Sequence, residues 1–326
     1  MTLDRKPRPP TPIANRQSPI AISIGDPAGI GPEIILKALA RLPRLRPRII
    51  GPLEVFEREQ RRLGTKVDLS IVDDAVGRPG RYSYGNPQKK CGAVALQALE
   101  VGVELLYRND VTALVTGPVS KQALRMAGFR WPGQTEFLAE RLGAKHRAML
   151  AWTPSFKVVF VTIHEPLARV SRHITAAAVA EKTRMLDRFL RDSGIRRPRV
   201  CVMAFNPHAE EFSLGEEARI AEGVRQARRS GVCAWGPIAA DAAVARRHDW
   251  NGYVAMYHDQ AMIPAKAFGR DEGVNVTLGL GRVRTSPLHG VAFDIAGTGI
   301  ARPDSMIAAI RLARRLAHRC QQRPAG

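Results

Sequence analysis

Short apolar runs alternate along this chain with stretches whose apolar residues recur at helical spacing. Ile20–Ile24 suits a buried central strand. An apolar-periodic helix follows it through Ala40, with Pro32 in the first turn, where a missing N–H costs nothing. Ile49–Ile50 and Val67–Val72 read as the next strands, Cys91–Tyr107 as a helix and Val111–Val115 as another buried strand. Trp131–Gly143 opens with a Pro-Gly turn and continues as an amphipathic helix. Val158–Ile163, Val200–Phe205 and Tyr253–Met256 are three further strands, the last followed by a loop that Pro264 interrupts before Lys266. This alternation predicts an α/β fold, a parallel sheet with covering helices. In the last third, Gly273–Arg284 alternates apolar and polar residues before a long glycine-rich loop through Pro303. A final helix, capped by Asp304 or Ser305, is expected to run to about Ala317. Met1–Ser18 is polar and proline-rich and reads as a disordered arm.

With 326 residues the chain is long enough for one large domain or two ordinary ones, and 45% hydrophobic with 25% charged residues is ordinary for a globular protein. No apolar run approaches the ~20 residues of a membrane span. The N-terminus lacks the apolar core of a secretory signal, so the expectation is a cytoplasmic protein without a membrane partner. Cys91, Cys201, Cys233 and Cys320 are far apart and form no C-x-x-C pair, which argues against a disulfide framework and a zinc-thiolate cluster. The formal charge of +20 raises nucleic acid as a partner. Much of the basic excess, however, is arginine spread over segments such as Arg41–Arg48, Arg225–Arg229 and Arg311–Arg319 without interleaved aromatics, so nucleic acid is not expected. A field of that sign still attracts anionic substrates, phosphates above all.

Three of the expected strands each deliver a histidine at the carboxyl end: His164, His208 and His258. Ligands bind at that edge in open α/β sheets, and three imidazoles with an open position suit a catalytic Zn²⁺, with Co²⁺, Mn²⁺ or Ni²⁺ as alternatives. The plain alternative for each is a hydrogen-bonded loop histidine. Asp241 and Asp259 are placed to orient the imidazoles from behind, with a helix cap the equal alternative for Asp241. Lys266, Asn275 and Arg284 follow the third histidine strand and combine a point charge with a planar fork, a set suited to phosphate or carboxylate. Gln134 and Thr135 stand at a helix start where side chains and backbone N–H groups converge, or Thr135 is simply its N-cap. Gly25, Gly29 and Gly31 form a glycine turn whose spacing is neither the dinucleotide fingerprint nor a P-loop.

Seven blocks extend these readings: SIGDPAGIGPEI (23–34), TGPVSK (116–121), PGQTEFLAE (132–140), VTIHEPL (161–167), NPHAEE (206–211), AMYHDQAMIPAK (255–266) and GVNVTLGLGRVRTSPLHGVAFDIAGTG (273–299). Over residues 19–317 the chain resembles the NAD-dependent 4-hydroxythreonine-4-phosphate dehydrogenases of pyridoxal phosphate biosynthesis. The resemblance implies a two-domain α/β/α fold of the isocitrate/isopropylmalate dehydrogenase type with a cleft between the domains. Residues 19–120 and 268–320 are expected to form one domain, with 121–267 inserted as the second. It also implies a homodimer with its site at the subunit interface. A divalent metal, zinc first with magnesium or cobalt as alternatives, is then held by His164, His208 and His258, one of them from the partner subunit. Thr135, Lys266, Asn275 and Arg284 match substrate contacts, with Gln134 standing where most members carry histidine. The loop His289–Pro303 resembles an adenosine-binding loop, which makes His289, Gly290, Asp294 and Gly297 the candidate contacts for NAD or NADP. The implied reaction oxidises 4-phosphooxy-L-threonine to 2-amino-3-oxo-4-phosphooxybutanoate, which decarboxylates to 3-amino-2-oxopropyl phosphate. Lys266 is the candidate proton carrier, with Asp241 and Asp259 beside it. The alternatives are a sister dehydrogenase of another phosphorylated hydroxy acid or a dihydrodiol and, more remotely, a phosphate acyltransferase or a polyanion-binding protein.

Overall fold

Strands this short are stable only inside a larger sheet, and the chain gathers them into one. The computed structural model describes residues 20–269 and 271–322, so the expected arm at 1–18 lies outside the described residues. The strands are β1 (Ile20–Ser23), β2 (Arg48–Ile50), β3 (Val72–Asp73), β4 (Ala113–Thr116), β5 (Ala148–Trp152), β6 (Lys157–Phe160), β7 (Val200–Met203), β8 (Ala234–Ile238), β9 (Gly252–Ala255), β10 (Val274–Leu278) and β11 (Val283–Pro287). The helices are α1 (Gly31–Ala40), α2 (Leu53–Leu63), α3 (Lys89–Tyr107), α4 (Lys121–Met126), α5 (Gln134–Arg141), α6 (Leu167–His173), α7 (Ala176–Asp192), α8 (Glu216–Arg229), α9 (Ala240–Ala245), α10 (His258–Gly269) and α11 (Asp304–Gln321). Among the described residues the strand order is β3-β2-β1-β4-β11-β10-β5-β6-β9-β7-β8. The chain thus leaves one half of the sheet after β4, builds β5 to β9 as the other half, and returns with β10 and β11.

The sheet is mixed, which corrects the expectation of a parallel one. β1 is parallel to β2 and β4, and β6, β9 and β7 are mutually parallel, but β10 is antiparallel to β11 and β5, and β5 to β6. Two of these reversals have a local cause: residues 279–282 and 153–156 are far shorter than the dozen or so a parallel crossover needs. Gly279 and Gly281 supply the left-handed angles of the first turn (φ +87° and +66°). In the second, the Thr153 hydroxyl accepts the Phe156 amide at 2.8 Å and donates to its carbonyl at 2.9 Å. The carboxyl ends of β1 and β4 therefore run opposite in sense to those of β6, β7 and β9.

Other local expectations change for equally local reasons. Most of Val67–Val72 is not strand, because Asp68 accepts the Ser70 amide and starts a 3-10 turn over Leu69–Ile71. The stretch after His258 is helix α10, and Pro264 lies inside it. The hydrogen bond lost at Pro264 is outweighed by burial of Ala261, Met262 and Ala265 in a cluster with Phe156, Phe160 and Tyr253. Neither Asp304 nor Ser305 caps α11. Pro303 holds that position, and the Ser305 hydroxyl instead accepts the Leu288 amide and donates to the Gly273 carbonyl. The main core packs Ile22, Leu114 and Val159 of the sheet with Ile34 of α1 and Leu99 of α3, and Cys201 is buried.

Helix α3 crosses α4 so closely that a Cβ on Gly92 would stand 1.9 Å from the Ala123 carbonyl oxygen. Alanine gains about 1 kcal/mol of helix propensity over glycine, but here it must push a backbone aside. Gly92→Ala is expected to lower unfolding free energy by about 1–3 kcal/mol, the usual cost of overpacking, read from the urea midpoint at unchanged m.

Candidate active site

Arg284 dominates the site electrostatically. Its side chain is 2% exposed on β11, and its guanidinium meets only neutral oxygens. Nη1 donates to Thr277 Oγ1 at 3.0 Å, and Nη2 donates to Thr116 Oγ1 at 2.6 Å and Gln134 Oε1 at 2.9 Å. Its Nε has no partner, and no carboxylate pairs with it among the described residues. Burial pushes its pKa down to about 10. Asn275 alternates with Thr277 onto the same face of β10, and its buried Oδ1 also has no partner. Thr135 is half-buried as the second residue of α5, whose N-cap is Gly133, so it is not the cap. Lys266 is exposed in the last turn of α10 and makes no ion pair among the described residues, so the structure does not bring it to Arg284.

Two of the three histidines face each other. The His164 and His258 rings are 6.3 Å apart between centroids. Two imidazoles on one tetrahedral zinc would have centroids about 5 Å apart at the usual Zn–N length, so a small side-chain adjustment suffices. Asp259 Oδ1 lies 2.6 Å from His258 Nδ1 and holds that nitrogen as the proton donor, leaving Nε2 free for a ligand. Burial, then the charges of Lys121 and His258, push the His164 pKa down against the pull of Glu136, favouring the neutral imidazole that a metal requires. The donor set fits a divalent cation as far as it goes, but it holds two imidazoles and not three.

His208 stands elsewhere. It is exposed, its Nδ1 lies 3.0 Å from Glu211 Oε2, and no group of three metal-binding side chains is found among the described residues. Its loop is nonetheless built with care. Glu217, fully buried, accepts the Phe205 and Asn206 amides at 3.0 and 2.8 Å and the Asn206 side chain at 3.0 Å. His208 and Ala209 both take left-handed backbone angles (φ +56° and +57°), which non-glycine residues rarely adopt. Asp241 is exposed in the first turn of α9, whose N-cap is Ala239, so it is not the cap; among the described residues no ion pair joins it to an imidazole.

The candidate cofactor loop is exposed at His289, Gly290 and Asp294, and His289 Nδ1 lies 3.0 Å from the neighbouring Gly290 carbonyl. The loop leans on the glycine turn after β1, where the Ile30 amide donates to the Val291 carbonyl at 3.0 Å. At Gly297 (φ +79°) a Cβ would lie 2.5 Å from the Tyr84 ring. Sequence reasoning missed Thr116 and Thr277 on Arg284, and Lys121 and Glu136 near His164. The two-residue period of β10 could have found Thr277, and the TGPVSK block contains Thr116 and Lys121.

Residues 26–313 match the family described as pyridoxal phosphate biosynthetic protein PdxA. The 4-hydroxythreonine-4-phosphate dehydrogenase of Erythrobacter litoralis is 39% identical over 322 residues, covering 91% of this chain and 96% of that protein. The D-threonate 4-phosphate dehydrogenase of Salmonella typhimurium is 37% identical over 322 residues, covering 91% and 98%. The crystal structure of 4-hydroxythreonine-4-phosphate dehydrogenase from Klebsiella pneumoniae superposes with a TM-score of 0.81 at 34% identity, covering 92% of this chain and 99% of that one.

Asp26, wholly buried after β1, accepts backbone hydrogen bonds from Ala28 and Ser120 while its second oxygen has no partner. Burial lifts its pKa from 3.8 to about 6 against those bonds. Across that range the folded chain keeps a proton that the unfolded chain releases, so stability falls as pH rises and levels off above it. Asp26→Asn escapes this loss. Its unfolding free energy relative to the parent should rise by up to about 3 kcal/mol between pH 4 and pH 7, at 1.36 kcal/mol per pKa unit, measured by urea denaturation at each pH.

Proposed function

The chain belongs to the family of the pyridoxal phosphate biosynthetic protein PdxA, and we propose that it is an oxidoreductase acting on 4-phosphooxy-L-threonine with NAD or NADP. The observation that carries this reading is Arg284, a buried guanidinium held by three neutral oxygens beside an unpartnered Asn275 oxygen. Such a charge calls for an anion, and a phosphate or carboxylate supplies one with the geometry the fork matches.

Arg284, Asn275 and Thr135 bind and orient the anionic substrate, and Gln134 keeps the guanidinium in place. Lys266 is the group that would take the hydroxyl proton, or it binds the phosphate; a bound nicotinamide would supply the hydride acceptor. Asp259 fixes the tautomer of His258 so that its Nε2 presents a lone pair beside the His164 ring. A divalent cation, zinc first with magnesium or cobalt as alternatives, would polarise the substrate oxygens there. The keto acid then loses CO₂ and takes up a proton to give 3-amino-2-oxopropyl phosphate. His289, Gly290, Asp294 and Gly297 are the residues that would hold the dinucleotide.

His208 of a second copy of the chain completes the donor set. Supporting this, the histidine-bearing segments expose large apolar side chains at Leu167, Phe212, Leu214 and Ile263, which a homodimer would cover. We read residues 121–267 as an inserted second domain whose cleft with the first holds the substrate. The protein acts in the cytoplasm; no helix among the described residues is long and apolar enough to cross a membrane. A second reading has its own support. The Salmonella relative is named for D-threonate 4-phosphate, and here the Gln134 carbonyl is committed to Arg284.

Purified protein with NAD, Zn²⁺ and 4-phosphooxy-L-threonine should produce NADH, lose activity to a chelator and regain it with metal. Turnover of D-threonate 4-phosphate alone would favour the second reading, and no NADH from either would overturn both. Arg284→Met should raise the substrate KM on the order of 100-fold, the scale of a desolvated charge-assisted contact. Asp259→Asn should weaken metal affinity about 10- to 100-fold, read by metal titration of the purified dimer.

A further inference from the structure

Helix α4 opens on a lysine outside the roles assigned above. Lys121, its first residue, is exposed, and no carboxylate pairs with it among the described residues. Free surface lysines are common in a chain of formal charge +20, so freedom alone says nothing. What sets Lys121 apart is how firmly its backbone is held. Ser120 caps α4, its hydroxyl accepting the Ala123 amide at 3.1 Å. The Ser120 amide donates to the buried Asp26, whose own amide donates to the Pro118 carbonyl at 2.9 Å. The Gly117 amide donates to the Ser23 carbonyl at 2.9 Å, and α3 closes on α4 where Gly92 meets Ala123. A free ammonium thus starts from an immobile base, the arrangement of a group built to meet a ligand.

Its position joins the two halves of the site. Five residues before it, Thr116 accepts Arg284 Nη2 at 2.6 Å. On the other side, burial and then the Lys121 charge push the His164 pKa down, so the ammonium stands within electrostatic reach of the imidazole that faces His258. Glu136 lies near the same imidazole, but its carboxylate folds back over the start of its own helix, 3.2 Å from where a Cβ on Gly133 would stand. It leaves Lys121 unpaired. A cation beside two imidazoles that would receive a metal is repelled by that metal unless an anion lies between them. Glu33 on α1 shows the opposite case. Lys37 donates to its Oε1 at 2.7 Å and Arg62 to its Oε2 at 2.9 Å, while Arg62 also pairs with the buried Glu59. Lys37 further donates to the carbonyls of Gly299 and Ala301, and Glu33 accepts the Ala301 amide. Every charge there is answered inside the fold.

We propose that Lys121 is a catalytic residue whose ammonium holds the substrate carboxylate beside the His164–His258 pair, while Arg284 holds the phosphate. This rests on the substrate assigned above, which is anionic at both ends. Two anions call for two cations, and the buried Arg284 fork can answer one. The carboxylate is also the group that departs as CO₂. The product therefore lacks what Lys121 grips, and the contact favours substrate over product on the protein.

The test compares two ligands of the purified, Zn²⁺-loaded protein by calorimetry: 4-phosphooxy-L-threonine and 3-amino-2-hydroxypropyl phosphate, the same skeleton without its carboxylate. Lys121 is exposed and unpaired, so its replacement leaves the core intact. Lys121→Met should raise the Kd of the first ligand about tenfold, the lower end of a hydrogen bond to a charged group, with its KM rising in step. The Kd of the second should stay within about twofold, because solvent and salt screen an exposed charge from a distant phosphate. Lys121→Arg, which keeps the charge, should recover most of the lost affinity. Arg284→Met should weaken both ligands alike, since both keep the phosphate. Equal losses for the two ligands in Lys121→Met would put the lysine on the phosphate and overturn the proposal. No loss for either, while the parent binds and turns over 4-phosphooxy-L-threonine, overturns it as well and leaves the substrate assignment standing. A parent that binds neither ligand overturns that assignment.

Discussion

The pairing of β10 with β5 is the constraint on which the rest of the molecule depends. Five antiparallel residue pairs, from Val274 opposite Trp152 to Leu278 opposite Ala148, form the ladder between the two halves of the sheet among the described residues. Because side chains alternate with a period of two, that register decides which residues of β10 face α5. Asn275 and Thr277 turn toward Arg284, and Val274 and Val276 turn into the core. The same ladder reverses the strand sense, so the loops after β4 and the loops after β6 and β9 belong to opposite edges in strand direction. Lys121 on α4 and Glu136 on α5 nonetheless lie within electrostatic reach of His164.

The molecule treats interior charge in two ways, and the difference separates scaffold from site. Around Glu33 every charge has an opposite neighbour and every carboxylate several donors, the arrangement that makes burial tolerable. Around Arg284 the only compensation among the described residues is dipolar, from two threonine hydroxyls and one amide oxygen. A balanced cluster holds a shape, whereas an unbalanced one holds affinity for something else.

Much of this was legible in the amino-acid order. The strand runs ending in His164, His208 and His258, the α1 start at Pro32 and the α3 helix follow from periodicity and local punctuation. Strand direction did not, because alternation at 273–284 marks strands without saying which neighbour they will choose. Helix α10 was hidden by Pro264, whose local penalty is overridden by burial against Phe156 and Tyr253. β8 was hidden by Gly236-Pro237, a pair tolerated there because that strand lies at the sheet edge. The grouping of three histidines was inferred from equivalent topological positions, yet within one chain only His164 and His258 are neighbours. The Glu33 cluster was beyond reach, since no local pattern links α1 to main-chain atoms near the far end of the chain.

The uncompensated guanidinium of Arg284 also bears on how long each molecule survives in the cell. An interior cation faced only by dipoles weakens the empty fold, and whatever anion settles on it returns that free energy as resistance to unfolding. If that anion is the substrate proposed above, protein starved of it would open more often and meet proteases more often than protein kept supplied. On the proposed function, one arginine would thus make metabolite concentration a determinant of enzyme abundance without any regulator of synthesis.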